Sequence, residues 1–122
     1  MNSETKILVV DDDPLVVRTV TRLLHEMDYQ VSTAPSAELG LKKLREQTYD
    51  LILLDLLMPG MDGTKFLESC PDGLDIPIII MSGQRDISSK LATFDRGAVD
   101  YITKPFSSAI LLARIEAKLR RK

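Results

Sequence analysis

Four short, uninterrupted apolar runs constrain this chain more than any other feature: Ile7–Val10, Leu51–Leu54, Ile78–Met81 and the weaker Tyr101–Ile102. None of them alternates polar with apolar residues. A strand wetted on one face alternates, whereas a continuous run implies burial on both faces, as in a parallel sheet covered by helices. A further strand is expected at Gln30–Ala34, on Val31 and on its place in the order.

Helical periodicity fills the gaps. Asp13-Pro14 is a helix start, an N-cap followed by proline at the first helical position. Val16, Val20, Leu23 and Met27 then recur at helical spacing. Ser36 caps a second helix with Ala37, Leu41 and Leu44 on one face. Phe66, Leu67 and Cys70 mark a short third, and Ile87, Leu91 and Phe94 a fourth. Ser107 or Ser108 opens the last, with Leu111, Leu112, Ile115 and Leu119 turned inward. Strand and helix thus alternate five times, which predicts one parallel sheet with helices on both faces, wound in both directions.

A chain of 122 residues fits one domain, here 1–122. Its net charge of -2 sets up no field that would recruit nucleic acid. The single cysteine, Cys70, allows no internal disulfide and suits a reducing cytosol. No apolar run approaches the roughly 18 residues of a membrane span, and the polar start MNSETK is not a signal peptide.

In doubly wound folds the chemistry lies at the carboxyl ends of the strands. Those ends carry Asp11-Asp12-Asp13, Asp55, Ser82 and Lys104-Pro105. Carboxylates gathered on one rim repel each other and call for a cation. All-oxygen donors select a hard ion such as Mg²⁺. A lysine and a hydroxyl beside them supply a charge and a hydrogen bond for an anion. Together these are parts suited to phosphoryl transfer onto an aspartate. Each has a plainer reading alone: a solvated acidic loop, a helix cap at Asp13, turn residues after strands. Polar groups at four strand ends at once are the informative pattern.

ILVVDDDP, LILLDLLMPGMDG, IIIMSG and GAVDYITKPF resemble, in order and spacing, the signature segments of bacterial response-regulator receiver domains. The resemblance spans Lys6 to Arg121 and implies a flavodoxin-like (βα)5 fold with strand order 2-1-3-4-5. By position it implies Asp55 as phosphoacceptor, Asp12 as direct ligand of Mg²⁺ (or Mn²⁺), and Asp11 as the acid that holds the metal through water. The Leu57 backbone carbonyl would be a further ligand. Ser82 and Lys104 resemble the hydroxyl and lysine that hold the phosphoryl oxygens, and Tyr101 the aromatic switch residue. The Lys104-Pro105 bond is expected to be cis.

The function implied is a cytoplasmic two-component switch, not an enzyme acting on an outside substrate. It takes its phosphoryl group from a sensor histidine kinase or phosphotransfer protein. Further implied partners are a second copy, met through the fourth helix, fifth strand and fifth helix, and a downstream output domain of DNA-binding kind. No membrane or direct nucleic-acid contact is expected. Ile110 and Glu116 depart from the charges usual in DNA-binding relatives. The flanking Leu57 and Gln84 imply slow to moderate self-dephosphorylation. A haloacid-dehalogenase-type phosphatase would also use aspartate and Mg²⁺, but it leaves Asp55 unexplained. A pseudo-receiver would lack one of the site groups. His25 reads as an ordinary surface residue. Basic Arg114, Lys118, Arg120, Arg121 and Lys122 read either as complement to the last helix's dipole or as the start of a linker.

Overall fold

The computed structural model describes residues 3–55, 66, 69, 76–83 and 100–120, without the side chains of 82 and 83. Its elements are β1 (Lys6–Val10), α1 (Pro14–Glu26), β2 (Gln30–Ala34), α2 (Ala37–Glu46), β3 (Leu51–Asp55), β4 (Ile78–Gly83), β5 (Asp100–Lys104) and α3 (Ser108–Leu119). All strand pairings are parallel, in the order β2-β1-β3-β4-β5. The doubly wound parallel sheet expected from the apolar runs is therefore present. The two helices expected around Phe66–Cys70 and Ile87–Phe94 fall outside the described residues, except that Phe66 and Ser69 are helical.

Continuous apolar strands are needed because the sheet divides the interior into two layers. Leu8, Val10, Ile52, Leu54 and Ile80 face Ala37 and Leu41 of α2, together with Phe66. Ile7, Val9, Leu51, Leu53, Ile79 and Met81 face Val20 and Leu24 of α1, and Leu111 and Ile115 of α3. Alternate residues of one strand thus belong to different cores. Leu24, absent from the periodic series read in the sequence, is fully buried in the second layer. The central strands β1 and β3 are buried throughout all or nearly all their length, whereas the edge strands β2 and β5 are only partly so. That difference explains why β2 and β5 were faint in sequence.

Local signals set the helix ends. The Asp13 carboxylate accepts the Leu15 amide at 3.0 Å, with Pro14 following at N1. Ser36 Oγ accepts the Leu39 amide at 3.2 Å, and Ser107 Oγ the Ile110 amide at 3.1 Å. Helix α1 ends with Asp28 at φ 68°, in the left-handed region that aspartate tolerates better than most residues. The Tyr29 amide reaches the Leu24 carbonyl at 3.1 Å and the Asp28 amide the His25 carbonyl at 3.0 Å, a Schellman ending. Tyr29 and Leu24 then pack in the same core layer, so the turn aims β2 at the sheet.

Gly40 lets α2 lie close against β1. A Cβ there would stand 2.9 Å from Val10 Cγ2 and 3.1 Å from Phe66 Cε2. Alanine would gain about 1 kcal/mol of helix propensity, but overpacking a tight core costs about 1–3 kcal/mol. The β-branched Val10 is held in a buried central strand and yields poorly. Gly40→Ala is expected to lower stability by a net ~1 kcal/mol in urea unfolding. A raised midpoint would show that Val10 and Phe66 move aside freely.

Candidate functional site at the carboxyl edge of the sheet

The strand register brings three acids together. Val10 pairs with Leu54, so the next residues, Asp11 and Asp55, emerge side by side from neighbouring strands. Carboxylate oxygens of Asp11, Asp12 and Asp55 all lie within 4.8 Å of one another. Asp11 and Asp55 are buried, while Asp12 is exposed. Asp13, the fourth acid nearby, is used as the α1 cap.

Lys104 closes the cluster from the last residue of β5. Its Nζ lies 2.9 Å from Asp11 Oδ2 and 3.5 Å from Asp55 Oδ1. The Asp11 side chain has no solvent exposure, a position no carboxylate holds without partners. One oxygen takes the Lys104 ammonium, and the other accepts the Asp13 amide at 2.9 Å. Burial pushes the Lys104 ammonium down. The hydrogen bond to Asp11 and the charges of Asp55 and Asp11 outweigh that, so its pKa stands above the ordinary lysine value. The Lys104-Pro105 peptide bond is cis.

The donor set suits a hard divalent cation. Three carboxylates and one ammonium leave a formal charge of -2. Two oxygens on one Mg²⁺ stand at most about 4.2 Å apart, since Mg–O is about 2.1 Å. Carboxylate oxygens that all lie within 4.8 Å of one another would draw closer together to share one such ion. Both oxygens of Asp11 already have partners, which favours contact through water rather than direct ligation.

Other expected residues are placed to different extents. Ser82 is the penultimate residue of β4, paired with Thr103, and its side chain is outside the described residues. Leu57 and Gln84 are outside them altogether. Tyr101 is half-buried and packs against the core layer of Leu8 and Ile80. His25 is exposed on α1, away from the acids. The sequence reading missed an apolar cleft of about 410 Å³ beside Lys104, lined by Leu15, Val16, Thr19, Val20, Pro105 and Phe106. Its one signal was Leu15, an apolar residue off the buried stripe of α1 and 66% exposed.

Comparison with known proteins agrees with this geometry. Residues 7–116 match the family model of the response regulator receiver domain. The chain is 40% identical over 116 residues to the regulatory protein VanRB of Enterococcus faecalis, covering 95% of this chain and 53% of that protein. It is 42% identical over 117 residues to the response regulator ArlR of Staphylococcus saprophyticus subsp. saprophyticus, covering 96% and 53%. The chain thus spans about half the length of these relatives. Among solved structures, a two-component response regulator from Clostridium difficile superposes with TM-score 0.92 at 30% identity, covering 97% of this chain and 98% of that one. A CheY-like response regulator receiver domain protein from Methanospirillum hungatei JF-1 gives TM-score 0.91 at 30% identity, covering 96% and 94%.

Removing Lys104 should expose the dependence of Asp11 on it. Lys104→Met is expected to cost roughly 2–4 kcal/mol, because it leaves a buried carboxylate short of a partner. Asp11→Asn in the same chain should recover most of the loss. The pKa of Lys104 is raised on folding, so its contribution is complete below the ordinary lysine value of 10.5 and is lost as pH climbs past it. The stability gap between wild type and Lys104→Met should hold steady from about pH 7 to 9 and close only above about 10.5. Closure between pH 7 and 9 would contradict the assignment.

Proposed function

The chain belongs to the response regulator receiver family of two-component systems, and from that premise we propose that it is a switch set by phosphorylation of Asp55. The observation that carries this reading is the convergence of Asp11, Asp12, Asp55 and Lys104 from three strands onto one rim. Asp55 ends the central strand, next to an ammonium already placed for an anion.

In the proposed reaction a carboxylate oxygen of Asp55 attacks the phosphorus of a phosphohistidine on a sensor histidine kinase or phosphotransfer protein. The new P–O bond forms as the P–N bond breaks, and the imidazole leaves with that electron pair. Lys104 pairs with the transferred oxygens, and Asp11 keeps it in place. Asp12, Asp11, Asp55 and the Leu57 carbonyl would hold Mg²⁺ (or Mn²⁺), which when bound offsets the charge on the transferring group. The Ser82 hydroxyl then bonds a phosphoryl oxygen, and Tyr101 turns inward, shifting a two-state equilibrium. The protein turns over no outside substrate; slow self-dephosphorylation resets it.

The same reading assigns a cytoplasmic location, a homodimer through the helix expected around Ile87–Phe94, β5 and α3, and an output domain of DNA-binding kind. The last draws support from relatives about twice this length, and from a neighbour in the same family called a transcriptional regulatory protein, CseB of Streptomyces coelicolor. Among the described residues no helix is long and apolar enough to cross a membrane.

Acetyl phosphate with Mg²⁺ should add one phosphoryl group to the wild type by mass and none to Asp55→Asn. Equal labelling of the variant would sink the assignment. Asp12→Ala should weaken Mg²⁺ binding more than Asp11→Ala does, and at least tenfold, in a direct titration. Unchanged affinity would remove Asp12 from the ligand set.

A further inference from the structure

Asp13 holds none of the roles given to the other acids of the rim, yet it joins them to α1. Two hydrogen bonds of the same form meet at it. Its amide donates to Asp11 Oδ1 at 2.9 Å, and its own Oδ1 accepts the Leu15 amide at 3.0 Å. Each bond spans two residues, so each carboxylate closes a tight turn, and the second turn is the cap of α1. The Asp13 carbonyl accepts the Val17 amide at 3.0 Å, which starts the helical ladder. Upstream, the Asp11 amide donates to the Ala34 carbonyl of β2 at 3.1 Å.

Pro14 has no amide proton, so the Leu15 amide is the first that α1 presents, and the Asp13 carboxylate satisfies it. Asp12 stands between two residues whose backbones are fixed by hydrogen bonds. It is exposed, so no packing orients its carboxylate, and the backbone on either side must do so. Asp11 is fully buried, with one oxygen engaged by the Asp13 amide. Both acids therefore take their aim from the residue that follows them.

We infer that Asp13 is a positioning residue for the cation: by capping α1 it fixes the backbone of residues 11–13 and so holds Asp11 and Asp12 ready for a divalent metal ion. This rests on the reading that Asp11, Asp12 and Asp55 hold Mg²⁺. A group that orients a metal's ligands raises affinity without touching the ion, and a site ordered beforehand loses less entropy when it is filled. Asp13 is exposed, where salt weakens the pull of its charge, so the cap is the property that counts.

Titrating Mg²⁺ into the full chain separates cap from charge. Asp13→Asn and Asp13→Ala remove the same charge, but only asparagine still caps a helix. Asp13→Ala should bind Mg²⁺ at least about threefold more weakly than Asp13→Asn. Without metal, the residue 13 amide should lose protection from hydrogen exchange, relative to Val9, in Asp13→Ala and keep it in Asp13→Asn. Ser36→Ala, which removes the matching cap of α2, should weaken Mg²⁺ binding less than Asp13→Ala does. A smaller ratio between the two Asp13 variants overturns the inference, and so does equal protection of their residue 13 amides. A loss in Ser36→Ala as large as that in Asp13→Ala would mark general loosening and overturn it too. Unchanged affinity in Asp12→Ala strikes the metal reading beneath. A weakened Asp12→Ala beside equal Asp13 variants strikes only the positioning role, so the two fail separately.

Discussion

Asp11 is the constraint around which the rest of this structure is arranged. A carboxylate with no exposure is tolerated only when both oxygens are engaged, here by the Lys104 ammonium and the Asp13 amide. That demand ties the end of β1 to the end of β5 across two intervening strands. It also fixes the loop entering α1, because the amide Asp11 accepts belongs to the residue whose own carboxylate caps that helix. One buried charge thereby orders a loop, a helix start and an edge strand.

The site is poised by repulsion as much as by attraction. Three acids within 4.8 Å would be destabilising without a counter-charge, and Lys104 supplies one of the three needed. The remainder is available to an incoming cation. Stability given up at the rim is recovered in the two apolar layers behind it, where Leu8, Leu53, Leu54, Ile79 and Ile80 have no exposure. Each such side chain contributes about 1.5–3 kcal/mol, enough for the domain to carry an acidic rim.

Much of this was legible in sequence, for identifiable reasons. β1, β3 and β4 announced themselves because both faces are buried, and Asp13-Pro14 and Ser36 because capping is a local event. The meeting of Asp11, Asp12, Asp55 and Lys104 was legible because the topology places strand ends on one rim. Long-range facts were not. Nothing local marks Gly40 as the point where α2 touches Val10, or Leu24 as more deeply buried than its periodic neighbours. Arg114 and Lys118 read as solvated charge or linker, yet both reach Asp100. Their partner lies 14 and 18 positions away, beyond the reach of any helical-spacing rule.

The division of the interior by the sheet bears on how this domain can accumulate change. Neighbouring residues such as Leu53 and Leu54 belong to opposite layers, while Leu54 and Val10, far apart in sequence, share one. Volume lost in one layer is felt by that layer's own side chains, with a rigid hydrogen-bonded sheet between it and the other. The two cores can therefore drift almost independently over evolutionary time. Compensating substitutions should pair residues by the parity of their positions along the strands, not by their proximity in the chain.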